Sequence, residues 1–98
     1  MFNKIKELKH LRDQAHQIKT MLSQETVHTD AAHGTVQLVM DGNQEVLSID
    51  INPSLLAPTE KEKLETAIRE ATNDAIKKAQ RIMAEKLRGM GGLNMPGM

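Results

Sequence analysis

The apolar positions change period along the chain, and the changes mark out its elements. Over residues 3–24, Leu8, Leu11, Ala15, Ile18 and Leu22 recur at spacings of 3, 4, 3 and 4. That is the seam of a helix that packs against another helix. Asn3 suits the N-cap, and no Pro or Gly interrupts the run. Over residues 25–51 the period drops to two. Val36, Leu38 and Met40 alternate, as do Leu47, Ile49 and Ile51, each set on one face of a strand. Asp41-Gly42-Asn43 between them predicts a hairpin turn, because Gly and Asn accept positive φ at little cost. A weaker pattern predicts a further strand around Val27–Ala31, ending before Gly34.

The helical period then returns. Pro53 and Pro58 bracket a short connector holding Leu55 and Leu56. Thr59-Glu60-Lys61-Glu62 has the form of a capping box, in which Thr59 and Glu62 satisfy each other's backbone amides. The helix that follows carries Leu64, Ile68, Ala71, Ala75, Ala79 and Ile82 on one narrow stripe, where small alanines admit a close neighbour. Glu65–Arg69 and Asp74–Lys78 are favourable i,i+4 pairs along it. Gly89 is expected to stop the helix. Residues 89–98, rich in Gly and Met, read as a flexible Gly/Met/Pro tail, leaving 1–88 as a single domain. The expected class is α+β: a helix, two or three antiparallel strands, and a helix.

Composition bears on how such a plan becomes stable. A 98-residue chain with Phe2 as its one aromatic must fill a core with Ile, Leu, Val, Ala and Met. Small domains bury a modest share of their surface, so self-association is attractive: a second copy supplies buried area the chain lacks. The absence of cysteine rules out disulfides and thiolate metal sites. The start, Met1-Phe2-Asn3-Lys4-Ile5-Lys6, has no apolar run of the kind that directs secretion. No stretch approaches the roughly 18 apolar residues of a membrane span. The expected setting is the cytoplasm.

The net charge is zero, but the charges are segregated. Residues 1–24 sum to +3, residues 25–58 hold five acids and no Lys or Arg, and residues 59–98 sum to +2. On the first helix, Lys9, Arg12, His16 and Lys19 repeat the apolar spacing one residue on, about 100° around from the seam. On the last, Lys77, Arg81 and Arg88 fall within about 40° of one another, flanked by Lys78 and Lys86. Clustered Lys and Arg on two helix faces suit a phosphate backbone, whose neutralisation releases condensed counterions. The same stripes also serve simply as solvated faces. Aromatics that would stack on single-stranded bases are missing, and so is a pattern for reading base edges. The expected ligand is therefore double-stranded DNA, contacted mainly through its backbone. The candidate contacts are Lys4, Lys6, Lys9, Arg12, Lys19, Lys77, Lys78, Arg81, Lys86 and Arg88. The alternating residues Val36, Leu38, Met40, Leu47, Ile49 and Ile51 are the candidate dimer interface.

Other chemistry finds little support. His10, Asp13 and His16 share the first helix, but the two imidazoles are about 120° apart, poor geometry for one ion. No nucleophile–base constellation surrounds Ser48 or Ser54, Asp50 has no evident catalytic partner, and Gly89-Met90-Gly91-Gly92 follows a helix rather than opening one. No enzyme, cofactor or small-molecule substrate is expected.

Particular residues carry a family likeness. Gly34, Val36, Gly42, Val46, Ile49 and Ile51, then Pro53-Ser54-Leu55-Leu56, lead to Leu64-Glu65, Ile68 and Ala71-Thr72-Asn73-Asp74-Ala75. With the Met-Phe start, the Lys- and Gln-rich first helix and the Gly-rich tail from Gly91 to Met98, this pattern resembles the YbaB/EbfC family of bacterial nucleoid-associated proteins. Asn52 departs from the Asp common in that family before the Pro, and can turn the chain in the same way. The resemblance implies helices at both ends of a small antiparallel sheet. It also implies a homodimer with projecting, tweezer-like helical arms, and DNA binding in the bacterial nucleoid for compaction or gene regulation. A helix–hairpin–helix plan also fits a prefoldin-like holdase or coiled-coil adaptor. Exposed apolar residues at the helix tips would favour that alternative, and basic ones would favour DNA; Met21, Leu87 and Met90 keep it open.

Overall fold

The computed structural model describes residues 3–89 as helix α1 (Asn3–Ser23), strands β1 (Thr26–Ala31), β2 (Val36–Asp41) and β3 (Val46–Ile51), two short 3-10 turns (Pro53–Leu55 and Pro58–Glu60), and helix α2 (Lys61–Gly89). Most of the expected tail, residues 90–98, lies outside the described residues. The strands form one antiparallel sheet in the order β1-β2-β3. Helix α2 lies across β1 and β2 and leaves β3 largely uncovered.

The core sits between α2 and the sheet. From β1 and β2 it takes Val27, Val36, Leu38 and Met40, and from α2 the stripe Ala67, Ala71, Ala75 and Ala79, with Leu55 closing it from the connector. Four small methyls in a row let the helix settle close to the strands; Ile68, Ile76 and Ile82 fill the flanks. Thr29 also faces this core. Its hydroxyl donates to the Ala71 carbonyl at 2.8 Å, which satisfies a buried polar group on an otherwise apolar face.

The first helix behaves differently. Of its seam, Leu22 is buried and Ile18 half-buried, but Leu8 and Leu11 are 63% and 59% exposed. The helix thus projects, and the described chain measures 65 × 23 × 21 Å. The helical period was visible in the sequence, but among the described residues no helix covers its first half.

Two local expectations are corrected. Gly42 does not supply the positive φ of the β2–β3 turn; Gln44 does, at 66°. Gly42 is needed for space, because a Cβ there would lie 2.6 Å from the Leu22 carbonyl oxygen. The Thr59–Glu62 capping box does not form either. Pro58 starts a 3-10 turn that runs straight into α2, and no side chain caps it. Asn52, by contrast, caps its turn: its side-chain oxygen accepts from the Ser54 amide at 2.9 Å.

The sheet has two outer strands. At β1, Lys78 reaches from α2 to the His28 carbonyl at 3.5 Å and pairs with Asp74 at the same distance. At β3, the pairing with β2 skips from Ser48 to Val46, so that Leu47 is an extra, bulged residue. Val46, Leu47 and Ile49 are all exposed there.

Candidate nucleic-acid interface

The basic stripe of α1 is solvent-facing throughout. Lys9, Arg12, His16 and Lys19 are exposed, and so are Lys4 and Lys6 toward the tip. None of these cations forms an ion pair within the described residues. They stand on a helix of about 31 Å that is anchored only near its C-terminal end.

On α2, Lys77, Arg81 and Arg88 are exposed and free of ion pairs among the described residues. They lie about 160–200° around the helix from Ala79, which is fully buried against the sheet. The face that grips the sheet thus fixes the opposite, basic face toward solvent. Lys78 and Lys86 are placed otherwise. Both are half-buried, Lys78 engaged with Asp74 and His28, and Lys86 held by Glu25 at 2.8 Å. Sequence reasoning missed the Lys86–Glu25 pair, since its partners are far apart in the chain and share no local pattern.

The candidate interface residues also divide. Val36, Leu38 and Met40 are at most 1% exposed, sealed beneath α2 inside the protomer, and so offer no surface to a second copy. Ile51 is half-buried and packs on the same core. Only Leu47 and Ile49, at 52% and 44%, remain available. The alternation of β2 matches its buried face, whereas on β3 the bulge at Leu47 interrupts it, and alternation could not tell which strand α2 would cover.

Among the described residues no cluster of three or more His, Asp or Glu could hold a metal ion, and no helix is long and apolar enough to cross a membrane. The acidic side chains of the middle segment are dispersed. Asp41 is buried in the turn, Glu25 is paired with Lys86, and Asp30, Glu45 and Asp50 are exposed on or beside the strands. They therefore do not neutralise the basic faces of the helices.

Comparison with known proteins decides the family. The model of the YbaB/EbfC DNA-binding family matches residues 1–94. The chain belongs to the YbaB/EbfC DNA-binding family. It is 35% identical over 98 residues to a nucleoid-associated protein of Syntrophobacter fumaroxidans, covering 99% of this chain and 89% of that one. It is 38% identical over 78 residues to a nucleoid-associated protein of Desulforamulus reducens, covering 79% and 74%. The fold recurs in the crystal structure of an uncharacterized protein from Helicobacter pylori, with a TM-score of 0.72 at 21% identity over 87% of this chain and 89% of that one. Members of this family are DNA-binding proteins, and it is not a family of enzymes.

Proposed function

We propose that this YbaB/EbfC protein is a homodimer that binds double-stranded DNA mainly through phosphate contacts, as a nucleoid-organising or regulatory protein of the bacterial cytoplasm. The observation that carries the reading is the pair of exposed basic faces, without ion pairs among the described residues: Lys9, Arg12 and Lys19 on α1, and Lys77, Arg81 and Arg88 on α2. Lys4 and Lys6 extend the first track. Lys78 and Lys86 contribute charge but are held by carboxylates, so they rank as secondary contacts.

Three observations support the dimer. The core is thin: four of the ten buried apolar residues among those described are alanine. Strand β3 is an outer strand with Val46, Leu47 and Ile49 exposed beside it. Among the described residues nothing covers Leu8 and Leu11 of the α1 seam. An open edge and exposed apolar side chains together suit strand pairing with a second copy.

The test is fluorescence anisotropy with a mixed-sequence duplex at low and near-physiological salt. Backbone recognition predicts saturable binding whose log–log salt slope is about −0.9 per phosphate neutralised. No binding at low salt would overturn the reading. A second reading, capture of protein chains, is favoured by Ile5, Leu8 and Leu11 at 73%, 63% and 59% exposure on α1. Suppression of aggregation of an unfolded client, with no duplex binding, would support it.

A further inference from the structure

Helix α1 meets the rest of the described chain at its last turn. Leu22 is buried there, whereas Ile5, Leu8 and Leu11 stand in solvent. The last carbonyls of a helix lack intrahelical donors and must find partners elsewhere. Here the Gln24 and Glu25 amides donate locally to the Met21 and Leu22 carbonyls at 3.2 and 3.1 Å, and the β2–β3 turn adds donors from outside the helix. The Gly42 amide donates to the Leu22 carbonyl at 2.9 Å and to the Glu25 carbonyl at 3.0 Å. The Asn43 side-chain amide donates to the Lys19 carbonyl at 2.9 Å. These donors come from a turn twenty residues downstream of the helix, so the contact is tertiary.

The turn is itself held in shape. Asp41 is 4% exposed, and its Oδ1 accepts from the amides of Asn43 and Glu45 at 2.9 and 3.0 Å. The Asp41 amide donates to the Glu45 carbonyl at 2.9 Å. From α2, Lys86 pairs with Glu25 in the link between α1 and β1. A side chain at position 42 would collide with the Leu22 carbonyl, so glycine sets how closely the helix end can approach.

We propose that the β2–β3 turn is a socket that sets the direction of α1, with Gly42 and Asn43 as positioning residues for its basic stripe. The proposal rests on the DNA-binding reading above. The lever is long: a tilt of about 10° at the base moves the tip of a helix of about 31 Å by about 5 Å. That displacement takes Lys4, Lys6 and Lys9 out of reach of phosphates they would otherwise contact, while the sheet and α2 are untouched.

The absence of cysteine makes the test direct. Spin labels are placed at Glu7→Cys on α1 and Glu65→Cys on α2, both exposed positions, and labelled protein is diluted with unlabelled so that only distances within a chain are read. Gly42→Ala is expected to shift that distance by several ångströms and to weaken duplex binding about tenfold, with helix content and oligomeric state unchanged. Asn43→Ala adds no bulk; it should broaden the distance distribution and weaken binding about threefold, and it carries the test if Gly42→Ala does not fold. An unchanged distance distribution in the folded variants would overturn the socket. A displaced arm with unchanged affinity would overturn its role in DNA binding. If the parent protein binds no duplex, the DNA-binding reading fails, and the distance measurement still decides whether the turn directs the helix.

Discussion

The Thr29 hydroxyl donates to the Ala71 carbonyl across 2.8 Å inside the core, joining β1 to the middle of α2. Thr29 is 6% exposed and Ala71 wholly buried, so the bond fixes where the helix lies along the strand. Thr29→Val keeps the shape and removes the donor. The expected loss is about 1 kcal/mol, the usual net worth of such a bond. Urea unfolding should show a lower midpoint with an unchanged slope, and duplex binding of the folded variant should be unaltered.

The alanine stripe of α2 predicts intolerance of bulk. Ala75 is fully buried between neighbours of the same size. Ala75→Leu forces the helix off the sheet and should cost about 1–3 kcal/mol or more. Ala84 is exposed on the same helix, and Ala84→Leu serves as the control, with little change expected in the thermal midpoint.

Charge on the outer face of α2 is separable from folding. Lys77→Glu with Arg81→Glu should weaken duplex binding on the order of tenfold or more at low salt and leave far-ultraviolet circular dichroism unchanged. Neutralising Arg88 alone should reduce the salt slope by about 1. Full-strength binding by the double variant would remove α2 from the DNA surface.

Ile49 tests the β3 side. It lies directly across from Leu38 yet is 44% exposed, because α2 does not extend over it. Ile49→Asp should therefore leave the protomer folded and yield monomers in light scattering after size exclusion. A dimer of undiminished stability would place the contact between copies elsewhere.

The elements were legible in the sequence because hydrophobic period is a local signal. Helices α1 and α2 and strands β2 and β3 each sit where the period put them. What the period could not carry was the identity of the partner. Leu38 and Ile49 alternate in the same manner and pair across the hairpin, yet one is sealed under α2 and the other open. Gly42 followed a turn motif, but the demand on it comes from Leu22, twenty residues earlier. Thr59 and Glu62 matched a capping motif that Pro58 pre-empted by starting a 3-10 turn. Thr29 read as a weak strand residue, since its place in the core depends on a helix carbonyl 42 residues away. The basic faces fared better because helix rotation alone fixes them once the buried side is known; the pairing of Lys86 with Glu25 needed the fold.

Lys78 on the outer flank of β1 has a bearing on the size of any assembly. A sheet with two bare margins can add copies at both sides without end, the route to fibres. In this protein the ammonium of Lys78, tethered by Asp74 and leaning on the His28 carbonyl, stands beside one margin and places a solvated cation where another strand would have to dock. In the dimer proposed above, growth through β3 alone would terminate once two copies have met. One margin of the sheet is thereby guarded against the strand-on-strand growth that seeds aggregates.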